Sequence, residues 1–203
     1  NKAWIPAFAG MTLTFSMSIN KQLYYQMLRI RLVEEAIALE YPKQEMRCPT
    51  HLCIGQEAIA VGVCANLRKE DVVFSTHRSH GHYLAKGGNL PAMIAELYGK
   101  ATGCSGGLGG SMHLIDPDAN FLGAAPIVAS TIPVAVGVAL AGRMQNKPGI
   151  AVCFFGDAAV EEGTAHEAMN FAALKRLPVL FVCENNMYST VTNIIDRQPR
   201  RDI

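Results

Sequence analysis

Residues 150–183 constrain the fold more than any other part of the chain. Ile150 to Phe155 is a continuous apolar run of strand type closed by Gly156-Asp157, and Pro178 to Cys183 is a second such run. Between them, Glu161 to Lys175 reads as a helix. Strands that are apolar on both faces and joined by a helix form a parallel β-α-β unit, because parallel pairing needs a crossover and helices then cover both faces. The fold class is therefore α/β, a parallel sheet with helices on both faces.

The remaining segments fit that class. Leu23, Met27, Ile30, Val33 and Ile37 recur at helical spacing from Lys21 to about Tyr41, where Pro42 stops the helix. Gln56 to Leu67 reads as a second amphipathic helix and Val72 to Ser75 as a short strand. Pro91 opens a helix that ends near Gly99. A Gly-rich loop without apolar period follows, from Gly103 to Ser111, and then a loop at Asp116 to Asn120. Ile132 to Met144 reads as a small-residue helix packed closely on a flat surface. No internal repeat is visible.

Composition narrows the function classes. Lys and Arg (18) balance Asp and Glu (17), so the net charge of +1 offers no footprint for nucleic acid or an anionic membrane. Apolar stretches are broken well short of the ~20 residues that span a bilayer. Cys48, Cys53, Cys64, Cys104, Cys153 and Cys183 are dispersed, without C-x-x-C spacing; they read as buried small hydrophobes in a reducing compartment, here the cytoplasm. Asn1 to Ser16 is expected to be an extension upstream of a folded part beginning near Met17, so residues 17–203 form the domain.

In open parallel sheets, ligands bind at the carboxyl ends of the strands. Two polar clusters sit there: Gly156-Asp157-Ala158-Ala159 after the first strand of the unit and Glu184-Asn185-Asn186-Met187-Tyr188 after the second. A carboxylate and a carboxamide are hard oxygen donors, and with diphosphate oxygens and water they complete the octahedron that magnesium demands. Neighbouring strands lie ~5 Å apart, so both loops reach one ion.

This pair resembles the thiamine-diphosphate signature, Gly-Asp-Gly followed roughly thirty residues later by Asn-Asn; Asp157 and Asn186 are 29 apart (186 minus 157), with Ala158 in place of the third Gly. Further segments in the same order resemble the alpha subunits of pyruvate and related 2-oxo acid dehydrogenases. They are His51-Leu-Cys-Ile-Gly-Gln-Glu-Ala58, Thr76-His77-Arg78-Ser79-His80-Gly81, Gly109-Gly-Ser-Met-His113 and Asn170-Phe-Ala-Ala-Leu-Lys-Arg-Leu-Pro178. The likeness runs from about Tyr24 to Tyr188.

The resemblance implies a thiamine-diphosphate-binding fold and roles for the matching residues. Arg78 would bind the diphosphate with its planar fork. His51 and His77 would lie beside the cofactor, with a core histidine as the alternative for His51. Asp157, Asn186 and the Tyr188 carbonyl would hold Mg2+. Gly156, Ala158 and Ala159 would offer backbone contacts, helped by the N-terminus of the following helix. Val128 would support the cofactor's bent shape, with ordinary core packing as the alternative. His80 and His113 are acid–base candidates, since imidazole titrates near neutral pH, or else hydrogen-bonded structural histidines. The Gly-rich loop before His113 would order with cofactor or partner. Arg197, Arg200 and Arg201 read as a solvated face.

The implied reaction is oxidative decarboxylation of a small 2-oxo acid, pyruvate first, with acyl transfer to a lipoyl-bearing acyltransferase. The implied assembly is an alpha2beta2 enzyme whose beta subunit supplies the carboxylate that activates the aminopyrimidine. Relatives continue beyond this point with more sheet and a His-containing loop, so the chain reads as C-terminally truncated, with sheet edge and apolar surface exposed. His77 in place of the usual Tyr, and Pro126 where many relatives have Gly, keep acetoin, a branched 2-oxo acid or a surface-sugar pathway open as alternatives, and the truncation keeps a non-catalytic remnant open. A nicotinamide enzyme would need G-x-G-x-x-G directly after a strand, whereas the Gly-rich loop here follows a helix.

Overall fold

The structure, a computed structural model, describes residues 18–200 and 203; the extension expected at residues 1–16 lies outside them. In chain order, helix α1 (Ile19–Glu40) leads through a 3-10 turn (Tyr41–Lys43) to α2 (Glu57–Cys64), strand β1 (Val72–Ser75), α3 (His80–Lys86) and α4 (Leu90–Leu97). Strand β2 (Phe121–Ala124), α5 (Thr131–Met144) and β3 (Ala151–Gly156) follow. A second 3-10 turn (Asp157–Glu161) precedes α6 (Gly163–Lys175), β4 (Val179–Glu184), a small hairpin of β5 (Tyr188–Ser189) and β6 (Thr192–Asn193), and α7 (Ile194–Arg197).

The four main strands form one parallel sheet in the order β2-β1-β3-β4. Alternation along the strands divides the apolar residues between two cores. Val73, Val152 and Phe154 pack with Ile30, Val61, Tyr83 and Leu97 from α1 to α4. Phe74, Ala151, Cys153 and Phe155 pack with Ile132, Ala135, Ala139, Ala165 and Ala168 from α5 and α6. Helices thus cover both faces, as the apolar strands require. Alanines on the second face bring α5 and α6 close to the sheet, where a bulkier residue would force the layers apart.

Several boundaries are set locally. Pro42 ends α1 and turns the chain into the 3-10 segment. Asn89 caps α4 by accepting the Ala92 N–H at 2.9 Å, with Pro91 in the first turn. Helix α6 starts at Gly163 rather than Glu161, because residues 157–161 wind as a 3-10 turn first. Strand β2 and helix α3 have no counterpart in the apolar pattern. Phe121–Ala124 is four residues with a glycine inside, and α3 is seven residues, both too short for a period to register.

The chain order places a switch point in the sheet. From β1 the chain runs outward to β2, then returns across β1 to β3 and continues to β4. Loops after β1 and β3 therefore diverge at the carboxyl edge, the place where doubly wound sheets bind ligands. Among the described residues no helix is long and apolar enough to cross a membrane. All six cysteines are free; burial pushes the Cys64 and Cys153 thiols up to about 12, which leaves them inert as nucleophiles at neutral pH.

Candidate functional site

All four strand ends feed this edge. The turn after β1 carries Thr76, His77 and Arg78; the loop after β2 carries Pro126 to Val128; β3 runs into Gly156 and Asp157; β4 runs into Asn185 to Tyr188. Gly156 and Glu184 are direct partners in the β3–β4 register, so the Asp157 and Asn186 loops leave the sheet side by side. Val128 is half exposed at 49%, an apolar side chain on the loop after β2 that lies outside both packed cores.

The loop of His51 folds against the β1 turn. Arg78 donates from Nη1 to the Leu52 carbonyl, and the His51 and His77 rings meet edge to face with centroids 4.8 Å apart. Burial is the main cause that lowers both imidazole pKa values; Arg78 lowers both further, His80 adds to the effect on His51, and His51 adds to that on His77. The edge of β1 thus presents one fixed cation and two rings held neutral at pH 7. The sign of the linkage follows. Below the ordinary value of 6.5 the unfolded chain takes up protons on these rings before the folded chain does. Stability is therefore full above 6.5 and falls as pH drops through the window beneath it. Urea midpoints at pH 7.5 and about pH 5.5 are expected to differ in that direction, and His77→Gln is expected to narrow the difference.

Asp157 is almost fully buried, at 1% exposure, at the start of its 3-10 turn. Its Oδ2 accepts from Arg197 Nη2 at 2.6 Å, and among the described residues nothing donates to Oδ1. Arg197 is thereby removed from the solvated face expected for the terminal arginines; its side chain is 10% exposed and also binds Glu161. Asn186 Oδ1 accepts the Tyr188 N–H at 2.9 Å, which turns the chain sharply after β4 and leaves the carboxamide oxygen a second lone pair. Ala158 has an ordinary negative φ, so alanine stands in for the signature glycine without strain. Ala158 and Ala159 lie on the 3-10 turn rather than at the N-terminus of α6, whose first residue is Gly163. A Cβ at Gly156 would meet nothing within 4 Å, so the backbone there borders open space.

The two acid–base candidates stand in different settings. His80 is fully buried, with Nδ1 at 2.6 Å from Glu34 Oε1 and Nε2 at 2.8 Å from Ser111 Oγ. Both nitrogens are therefore occupied. His113 is exposed and its Nδ1 lies 2.9 Å from the Gly109 carbonyl, and among the described residues Nε2 has no hydrogen-bond partner. The apolar pattern missed the groups that hold these histidines. Glu96 is buried in α4 and accepts four backbone N–H groups of the Gly-rich loop. Those of Ser105 and Gly107 reach Oε2 at 2.7 and 2.8 Å, and those of Gly109 and Gly110 reach Oε1 at 2.8 and 2.9 Å. The chain's own carboxylate thus grips the loop at four points. Close approach explains its glycines: at Gly107, with φ +78°, a Cβ would lie 2.5 Å from the Lys100 carbonyl oxygen. A signal did exist. Glu34 falls on the same stripe as Ile30 and Ile37, and Glu96 on that of Met93 and Leu97, where a carboxylate demands donors. A third buried chain links Ser75 Oγ to His82 Nδ1 at 2.7 Å and His82 Nε2 to Glu184 at 3.2 Å, tying α3 to the end of β4.

Known proteins give this geometry its family. A family model described as the dehydrogenase E1 component matches residues 25–200. The chain is 45% identical over 183 residues to the alpha subunit of acetoin:2,6-dichlorophenolindophenol oxidoreductase of Bacillus subtilis, covering 90% of this chain and 54% of that one. To the pyruvate dehydrogenase E1 component subunit alpha of Rhizobium meliloti it is 38% identical over 188 residues, covering 92% and 54%. For the same subunit of Zymomonas mobilis the figures are 42% over 174 residues, 85% and 49%. The chain spans about half the length of the curated relatives it matches. A match across most of the chain, in step with loops gathered at one carboxyl edge, makes this polypeptide a member of the dehydrogenase E1 component family.

Proposed function

We propose that this chain is the diphosphate- and metal-binding half of a thiamine-diphosphate-dependent 2-oxo acid dehydrogenase alpha subunit. One observation supports the reading: Asp157 and Asn186 leave adjacent, in-register strand ends at the carboxyl edge to which the β1 turn also brings Arg78 and His77, with His51 packed on His77. The donor set fits a magnesium ion brought with a diphosphate. Among the described residues no three His, Cys, Asp or Glu groups gather to hold a metal, so an ion at Asp157 draws its other ligands from neutral oxygens and a bound anion. Asp157, Asn186 and the Tyr188 carbonyl would hold the ion. Arg78 would bind the diphosphate, the 3-10 turn at Ala158 and Ala159 would turn backbone N–H groups to it, and Val128 would press on the cofactor from the rim.

Thiamine diphosphate, when bound, supplies the carbanion chemistry that cleaves a 2-oxo acid. The chain's own contribution is binding and orientation. Neutral His51 and His77 accept or donate hydrogen bonds near the cofactor without adding charge, and exposed His113 is the acid–base candidate with a free nitrogen. His80, tied to Glu34 and Ser111, acts by holding the Gly-rich loop in place. The partners are a beta subunit in an alpha2beta2 enzyme and a lipoyl-bearing acyltransferase. The open edge of β4, with Leu180 42% exposed, and the outer stripe Tyr24, Leu28 and Leu32 of α1 are apolar surfaces suited to subunit contact. Six free cysteines suit a reducing cytoplasm.

Calorimetric titration with thiamine diphosphate and Mg2+ tests the site. Magnesium-dependent binding is expected, with at least a roughly hundredfold loss in Asp157→Ala, since one of few protein ligands is gone. Binding that ignores magnesium or survives the substitution would reject the reading. A second substrate reading stands beside pyruvate, because the Bacillus subtilis relative at 45% identity is named for acetoin. Comparison of pyruvate and acetoin turnover in the assembled enzyme separates them.

A further inference from the structure

The arm after β4 returns to the site it leaves. From Asn186 the chain turns through Tyr188, runs the β5–β6 hairpin, and is plugged by Ile194, which is fully buried and donates its N–H to the Met187 carbonyl at 2.8 Å. Three residues on, Arg197 reaches back to Asp157. Its fork is divided: Nη2 meets Asp157 Oδ2 at 2.6 Å, Nη1 meets Glu161 Oε1, and Nε donates to the Thr192 carbonyl at 3.3 Å. Gln198 adds a second bond to Glu161 at 2.8 Å.

We propose that Arg197 is a positioning residue of the Asp157 site, setting how far the Asp157 carboxylate stands from the Asn186–Tyr188 turn. This rests on the metal–diphosphate reading above. Asp157 and the 186–188 turn lie on separate loops, and Arg197 is a tether that closes them into one ring through the hairpin. A fork laid with both nitrogens on Asp157 would occupy both oxygens and compete with a cation. The divided fork takes Oδ2 and leaves Oδ1 as a donor. Two carboxylates against one guanidinium leave a net negative charge, so the pocket still attracts a divalent ion. Ligating carboxylates held from behind in this way are a recurrent means of orienting metal ligands.

The test is the Mg2+ concentration that half-saturates thiamine diphosphate binding, followed by calorimetry on the full chain alongside its thermal midpoint. Arg197→Ala is expected to raise that concentration roughly tenfold or more, the scale seen for lost support of metal ligands. Arg197→Lys, which keeps the charge but not the fork, is expected to recover part of the loss. Glu161→Gln preserves shape yet frees the fork to close on both Asp157 oxygens, and is expected to raise the midpoint as well. A merely structural role would lower the thermal midpoint or the fraction that binds while leaving the magnesium midpoint unchanged, and that outcome overturns the proposal. A lower midpoint in Arg197→Ala also overturns it, by making the arginine a competitor. If the unaltered chain shows no magnesium-dependent binding, the underlying reading fails and this inference falls with it.

Discussion

Glu96→Ala is expected to lower the unfolding free energy by about 4 kcal/mol, read from urea denaturation. The carboxylate is 1% exposed and takes the N–H groups of Ser105, Gly107, Gly109 and Gly110. Alanine would leave four donors without acceptors, each costing about 1 kcal/mol or more where water cannot enter. Glu96→Gln should recover little. A carboxamide replaces one acceptor oxygen by an NH2 group, which in either orientation would face two N–H donors, those of Ser105 and Gly107 or those of Gly109 and Gly110. Burial alone would push the Glu96 carboxyl up, but the N–H groups of Gly110, Gly107, Ser105 and Gly109 outweigh it and hold its pKa below the ordinary value. The stabilisation from this depressed acid is complete above about pH 4.5 and is lost as pH falls through the folded-state pKa. Amide exchange at Gly107 and Gly110 should quicken in the variant far more than exchange in β3.

Glu34→Ala is expected to cost a similar ~4 kcal/mol, for a different reason. Glu34 joins α1 to the Cys53 N–H at 2.5 Å and to His80 Nδ1 at 2.6 Å, and His80 in turn holds Ser111. Every partner is buried, so its removal strands an imidazole and an amide in the first core. Here Glu34→Gln is expected to recover about half, because each oxygen of Glu34 meets a single partner and the amide keeps one acceptor. Contrasting rescue at the two positions is the check: equal recovery by glutamine at both would show that the loop is not gripped through its N–H groups.

How much of this was legible beforehand depends on length and chemistry. The β3-α6-β4 unit could be read because both strands are six-residue, mostly apolar runs, β3 buried on both faces and β4 only partly covered at the sheet edge, and its polar ends marked the edge of the site. Asp157 and Asn186 followed from spacing along that unit. Strand β2 was not legible, since its pairing is supplied by β1 rather than by any local pattern. Arg197 was missed for a related reason: an arginine near two others reads as solvated, and only the returning hairpin carries it to Asp157. The Gly-rich loop gave its composition but not its organiser, which lies one helix earlier at Glu96. Glu34 and Glu96 could have been flagged as carboxylates on apolar stripes, although nothing in the stripe names their donors.

The placement of His77 and Pro126 bears on how freely the carboxyl edge can be altered. Both sit on loops past the ends of their strands, and neither belongs to either packed core. Exchange at such positions costs little folding free energy above pH 6.5, where the His77 ring is neutral in both states, while altering what lies over the carboxyl edge. The carboxyl edge can thus be rewritten one loop residue at a time, with no compensating change in the layers beneath.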